Sequence, residues 1–491
     1  MLWRLALAQI LLLALVRADA PADARLVDIS VVAVDGSGQP VTDLKPDEFR
    51  ITDAGKNQQI VYFRHTDAKL QTPQPLAPGE YSNGGRANAP HVTLMLFDFL
   101  NQQFNTRALV ANQIVQQLAK VEDSEGLFLY ILGLDGKVIP VHGLDAETAA
   151  SQESAGPWTH QIKTLMDNAM KAAQGVRPVA TEDINVRIGM TFEALEAVAA
   201  QLAGFRGRKN VVWITDGIPL DLGGRSSGTG EHVDFIPQLR LLSERFDRSE
   251  VAIYPVRQVN LGSAGSDGEA DSTGMGSVEF LNELAGLTGG RQDAGKDIGK
   301  SLEQARRDVS SSYQLGYFPP ENNWDGKFHN LRITCTRKGV KLQARTGYYA
   351  WQEDQGARAG RAISAMVASQ TDAAEIGLRG SLTADAGNPD QVRVELRIEG
   401  NDVVLAQDGD KFAGQLRIAF VLYHKDGRSA GLPVIPAELK YDAAQKDKAL
   451  REGIGFREDL TLDDGAARIR AIVFDQGSGA VGSLTIPVAA R

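Results

Sequence analysis

From residue 91 onward the chain alternates two kinds of segment, and this alternation restricts its fold more than any other feature. The runs "VTLMLFDF", "GLFLYILG", "VVWITDG" and "VAIYPVR" are apolar with little polar interruption, the pattern of strands covered on both faces. Between them lie segments of helical period at residues 106–120, 186–202, 232–246, 278–287 and 298–311. Strands alternating with helices imply an α/β unit, a doubly wound and mostly parallel sheet over residues 91–312.

The flanks follow a different grammar. Residues 24–66 alternate apolar and polar positions in short runs broken by "DGSGQP" and "DAGKNQ", which predicts antiparallel strands joined by turns. Residues 313–350 return to the same pattern, with turns at "NNWDG" and "RKG". Each flank alone is short for a stable β unit, so the two are expected to pair with each other around the inserted α/β unit. Residues 71–90, rich in Pro, Gly and Asn, and the polar residues 351–364 read as linkers. Residues 365–491 alternate clearly in "VRVELRIEG", "QLRIAFVLYHKDG" and "ARIRAIVFDQGSG" and are expected to form a separate C-terminal β-sandwich.

The first 20 residues, "MLWRLALAQILLLALVRADA", place one early cation before a short apolar run and small residues at its end. This is the plan of a secretory signal peptide cleaved after Ala20, and the run is shorter than the ~20 residues of a membrane span. Export is therefore expected, secreted or to the periplasm or cell envelope; a retained N-terminal anchor is the alternative. The formal charge is −10, and no long Lys/Arg run exists to bind a nucleic-acid backbone. Cys335 is the single cysteine, so no internal disulfide forms; its place in "LRITCTRKG" predicts a small core residue.

In an open α/β sheet, ligands bind beyond the carboxyl ends of the strands. Asp98 in "LMLFDF" and Asp216 in "WITDG" stand at two such ends, and Thr191 in "RIGMTFEALEAV" stands at the start of a helical run. Two carboxylates and a hydroxyl on one sheet edge would suit a hard divalent cation, Mg²⁺ or else Mn²⁺ or Ca²⁺. Structural readings stand beside these. Asp98 caps a loop by accepting backbone N–H bonds, Thr191 is a helix N-cap, and Asp216 is a turn residue before Gly217.

These residues also carry a resemblance. The order Asp98, Thr191, Asp216 resembles the von Willebrand factor type A domain, whose metal-ion-dependent adhesion site takes ligands from three such loops. The segments "LFDFLNQQF", "GFRGRKNVVWITDGIP", "SYQLGYFPP", "DGKFHNLRI" and "VKLQARTGYYA" resemble the VWFA-related domain proteins of acidobacterial type, over residues 24–350. The resemblance implies a von Willebrand A-like fold flanked by β regions, and an adhesion-type site in which a bound cation accepts a carboxylate from the partner. The chain departs from the family's D-x-S-x-S loop: Leu100 and Gln102 stand where serines belong. Leucine cannot coordinate a cation, so Asn101 or Gln102 would have to supplement Asp98, Thr191 and Asp216.

Other motifs are weaker. "GRSSG" matches a nucleophile-elbow pattern around Ser226, but residues 219–223 separate it from the preceding strand. The acids near Asp267 and Asp271 resemble a calcium loop, yet Val278 stands where its closing glutamate belongs. The seven histidines show no zinc-ligand spacing. The expected function is exported, non-enzymatic binding of a protein or cell-surface ligand, a cell-adhesion-type role with a degenerate metal site. The alternatives are a secreted hydrolase using Ser226 or a metal-activated water, and a structural envelope component whose metal site is empty.

Overall fold

The computed structural model describes residues 25–488, apart from segments 68–74, 85–91, 145–157, 175–183, 221–233, 258–271 and 292–296 and a few one- or two-residue gaps. The leader, Ser226, Asp267 and Asp271 lie outside the described residues. No described helix is long and apolar enough to cross a membrane.

The first strands are β1 (Val27–Val34), β2 (Phe49–Asp53), β3 (Lys56–Gln58) and β4 (Tyr62–Asp67), followed by the short β5 (Glu80–Ser82). The α/β unit contains β6 (Val92–Asp98), β7 (Leu127–Leu132), β8 (Val138–His142), β9 (Lys209–Thr215) and β10 (Val251–Arg257). Its helices are α1 (Phe104–Leu118), α2 (Ile162–Gln174), α3 (Ile184–Leu202), α4 (Ile236–Arg248), α5 (Ser272–Leu287) and α6 (Ile298–Ser310). Then follow β11 (Ser311–Tyr317), β12 (Phe328–Cys335), β13 (Lys341–Gln343), β14 (Gly347–Tyr349) and α7 (Gln355–Ala368). The C-terminal unit holds β15 (Leu378–Ala384), β16 (Gln391–Ile398), β17 (Ala406–Asp408), β18 (Lys411–His424), β19 (Ser429–Gly431), β20 (Ile435–Tyr441), α8 (Ala443–Glu452), β21 (Ile454–Thr461), β22 (Ala466–Asp475) and β23 (Val481–Pro487).

The central sheet has the order β10-β9-β6-β7-β8. Four strands are parallel and β8 is an antiparallel edge, so the sheet is mixed. Every residue of β6, β7 and β9 is buried, as the apolar runs at their centres require. Alternate residues of β6 feed two apolar clusters. Leu94 and Leu96 pack with α3, α4 and α5, while Met95 and Phe97 pack with α1, α2 and α6.

The two flanking segments share sheets. β1 pairs with β11 from Val27↔Tyr317 to Val31↔Tyr313, and β2 pairs with β12 from Asp53↔Leu331 to Phe49↔Cys335. Phe49, Ile51, Tyr313 and Tyr317 meet in a common core. Buried Asp53 ties the segments further, accepting from Tyr317 Oη at 2.8 Å, Tyr348 Oη at 2.9 Å and Asn323 Nδ2 at 2.8 Å. Cys335, expected in the core, is only half-buried, because its end of β12 lies toward the rim.

Two antiparallel sheets, β21-β16-β15-β5 and β17-β18-β22-β23 with β19 and β20 on β18, face each other in the C-terminal unit. Both stretches expected as linkers carry structure. Residues 80–82 add β5 to β15, and buried Asn83 accepts from Leu378 N and donates to the Ala373 and Ile376 carbonyls. Most of 351–364 belongs to α7, whose N-cap Asp354 accepts from Ala357 N and whose apolar residues cover Val421 and Phe474. Their turn-rich and polar sequences conceal short contacts that tertiary packing makes worthwhile.

Candidate functional site

The carboxyl ends of β6 and β9 lie side by side in the sheet. Past them the chain turns sharply twice, at Phe99–Gln103 into α1 and at Asp216–Gly217. Gly217 has φ +98°, a conformation that side chains with a Cβ rarely adopt, and its N–H bonds back to Thr215 Oγ1 at 3.0 Å.

Asp98 is fully buried and accepts four hydrogen bonds: Asn101 N at 2.9 Å, Asn101 Nδ2 at 2.8 Å, Trp213 Nε1 at 3.1 Å and Thr215 Oγ1 at 2.8 Å. Trp213 and Thr215, two apart on β9, project to one face as strand geometry dictates. Burial raises the Asp98 pKa, and these donors only partly offset it. Asn101 also donates through Nδ2 to Thr191 Oγ1 at 2.9 Å. Thr191 lies inside α3 rather than at its start, donating to Arg187 O at 2.8 Å, so it is not an N-cap; the helix begins at Ile184.

Asp216 is half-buried and accepts Gln102 Nε2 at 2.8 Å and Gln103 N at 3.0 Å. Burial raises its pKa as well. All five candidate residues, Asp98, Asn101, Gln102, Thr191 and Asp216, therefore converge in one polar cluster.

That cluster does not suit an inner-shell divalent cation as arranged. The amide N–H groups of Asn101 and Gln102 are aimed at the two carboxylates, whereas a cation requires oxygens there. The two amide oxygens, Asn101 Oδ1 and Gln102 Oε1, are buried without a hydrogen-bond partner. Among the described residues no three His, Cys, Asp or Glu side chains gather as a metal-binding group. The amides thus act as neutral bridges, Asn101 from Asp98 to Thr191 and Gln102 to Asp216.

Around this polar centre is a rim that sequence patterns did not reveal. Phe104 opens α1 as a residue 81% exposed. The Arg107 guanidinium lies 5.7 Å from that ring and 5.6 Å from the ring of Phe99, and donates to Gln102 O through Nε and Nη2. Arg257, at the end of β10, donates to Asp216 O at 3.2 Å. The available signal was the Phe–x–x–Arg spacing at the start of a helix, which brings residues three apart onto one face.

No protein-family model and no curated protein matches the chain. Fold and site together describe a mixed α/β sheet unit, held between β units, with a polar cluster and an aromatic-cationic rim at its strand carboxyl ends.

Proposed function

We propose that the chain is an exported, non-enzymatic binding protein whose α/β unit is von Willebrand A-like and recognises a protein or cell-surface ligand over the carboxyl ends of its sheet. The observation that carries this reading is Phe104, a large aromatic held 81% exposed beside a guanidinium. Exposed aromatic and Arg side chains are the types that dominate binding hot spots. Arg107 and Arg257 would attract a carboxylate from the partner, while the cluster below keeps their loops in place.

Asp98, Asn101, Gln102, Thr191 and Asp216 serve as a scaffold in this reading, and Mg²⁺, Mn²⁺ or Ca²⁺ is not required. The test is capture from the source organism's own envelope fraction on immobilised wild-type protein and on Phe104→Ala/Arg107→Ala. The wild type is expected to retain a protein or surface polymer in EDTA that the double variant releases. Equal retention by both would refute the reading.

The second reading is a structural envelope component. It is supported by the same amide bridges, which lock the site without any ligand, and it predicts no retained partner for either protein.

A further inference from the structure

The three units of the chain meet at a small, partly open pocket of ≈60 Å³, room for only a few waters. Each unit brings a carboxyl group to it: Asp28 from β1, Glu250 from the turn between α4 and β10, and Glu375 from the residues before β15. None of the three belongs to the polar cluster beneath Phe104.

Two of them lack what a charged carboxylate needs. Asp28 Oδ2 accepts Gln314 Nε2 at 3.2 Å, and its Oδ1 is buried without a hydrogen-bond partner. Glu375 accepts Val481 N at 2.9 Å. Neither forms an ion pair among the described residues, and the cations facing them are held by other acceptors. Arg64 lies 2.7 Å from Asp402 and 3.7 Å from Glu250, and Arg345 pairs with Asp247 while donating to the Asp28 carbonyl. Lys209 Nζ donates to Phe205 O at 3.0 Å, and Arg248 pairs with Glu244. Arg25 and Arg358 complete the charged lining. A carboxyl group short of both water and a counter-ion keeps its proton.

Glu250 sharpens the effect. It follows Ser249, the C-cap of α4, with φ +49°, in the left-handed position that helices usually give to glycine. Its Oε2 is buried without a hydrogen-bond partner. A glutamate there costs backbone strain and sets a third carboxyl group against the other two. Desolvation, with Glu250 adding to it, moves Asp28 and Glu375 up to about 7. Both therefore hold their protons below that pH and lose them above it.

We propose that the pocket is a proton-operated clasp: with Asp28 and Glu375 protonated the three units stay docked, and ionisation of the two loosens the C-terminal unit from the others. Ionised, three carboxylates from three units share a space too small to hydrate them, and parting the units admits the water they need. The clasp is separate from the sheet-top surface and does not depend on it.

The backbone carries a reporter of this joint. Leu26 N, beside β1, donates to Gly477 O of the C-terminal unit at 3.0 Å. The test is hydrogen exchange of the full chain at Leu26, comparing wild type with Asp28→Asn/Glu375→Gln at one pH at a time so that the intrinsic rate cancels. The variant holds the uncharged form at every pH. At pH 5 the two proteins should exchange alike. At pH 8 the wild type should exchange at least tenfold faster at Leu26 and show a larger radius of gyration by small-angle scattering, while β6 and β9 stay equally protected in both. Glu250→Gly, which removes the third carboxyl group and relieves the turn, should fall between them at pH 8, and it carries the test should the double variant fail to fold.

The proposal is overturned if neither variant exchanges more slowly than the wild type at pH 8, or if the difference is as large at pH 5. It is also overturned if β6 and β9 lose protection together with Leu26, since that is global unfolding rather than parting of units. Phe104→Ala/Arg107→Ala should leave the pH response unchanged, so failure here is distinguishable from failure of the sheet-top reading.

Discussion

Replacing Asp98 separates a scaffold carboxylate from a metal-binding one. In Asp98→Ala, Thr215 still receives Gly217 N–H and can turn its hydroxyl, and the Asn101 amide keeps Thr191. Asn101 N–H and Trp213 Nε1–H, however, lose their acceptor in a site that water does not reach. Each buried unpaired donor costs ~1–3 kcal/mol, or about 2–6 kcal/mol for the pair. Removing a carboxylate whose charged form is penalised by burial returns part of this, leaving about 3 kcal/mol. Asp98→Asn retains an oxygen for Trp213 and Thr215 and sets one N–H against Asn101 N, so its net cost is about 1 kcal/mol. Urea unfolding followed by circular dichroism and tryptophan emission should rank the variants in that order. Thermal unfolding of the α/β unit should fall by ~6–12 °C for Asp98→Ala. Equal losses for the two variants, or a loss below about 1 kcal/mol for Asp98→Ala, would refute the scaffold role.

Further perturbations test other parts of the structure. Mg²⁺ or Mn²⁺ at millimolar concentration should leave the melting temperature within about 1 °C, because a cation would have to displace two amide bridges; a larger rise abolished by Asp216→Ala would restore the metal reading. Asp28 and Glu375 line a partly open charged pocket between the units, and burial pushes each to about 7, with Glu250 adding to the rise. Their folded pKa values lie above the unfolded ones, so their contribution is full below about pH 4 and is lost as pH rises through about 7. Melting should therefore rise by several degrees from pH 8 to pH 5, and Asp28→Asn/Glu375→Gln should flatten the profile; an unchanged profile would exclude these groups. Gly290→Ala would place a Cβ 1.8 Å from Ile253 O and should cost at least ~2 kcal/mol in urea unfolding. Asp53→Ala removes the shared partner of Tyr317, Tyr348 and His329, while Asn323 keeps His329 and Tyr348, and should cost ~3–5 kcal/mol, with limited proteolysis showing release of the N-terminal segment.

The chain's apolar runs made the central sheet legible, because the middle of a strand covered on both faces is apolar on both, its polar residues falling at the ends of β6 and β9. β8 escaped notice, since "VIPVH" is brief, half-exposed and contains Pro140, and an edge strand needs no strong pattern. α2 was missed although its polar and apolar residues repeat at helical spacing, as the "MDNAMKAAQ" stretch is mostly polar and small. At the site, Asp98 and Asp216 were identified by position alone. The amide bridges were not legible, because they depend on which end of the Asn101 and Gln102 side chains meets the carboxylates, and sequence specifies no such orientation. Phe104 was hidden for the opposite reason: an apolar residue in an amphipathic segment is expected to be buried.

β9 opens on polar residues. "RGRKN" leads into and opens the strand, where exposed residues would be expected, yet Arg208, Lys209 and Asn210 are buried. Their partners are backbone carbonyls: Arg208 on Gly289 at 2.6 Å, Lys209 on Phe205 at 3.0 Å and Asn210 on Ala305 at 2.6 Å. The contacts to the β units gather at the same end. Arg208 reaches Ser30, Gln343 reaches Gly289, Arg345 pairs with Asp247, and Arg206 reaches Asp402 and Ala374. A buried cation is costly unless its donors are satisfied; carbonyls of the α/β unit itself receive Lys209 and most of Arg208, and the first β unit adds Ser30 to Arg208. Docking at the amino ends of the strands holds the sheet from below and turns its carboxyl ends, with Phe104 and the guanidinium beside it, outward. A substitution at Arg208 should loosen this anchoring without altering the hydrogen bonds of Asp98.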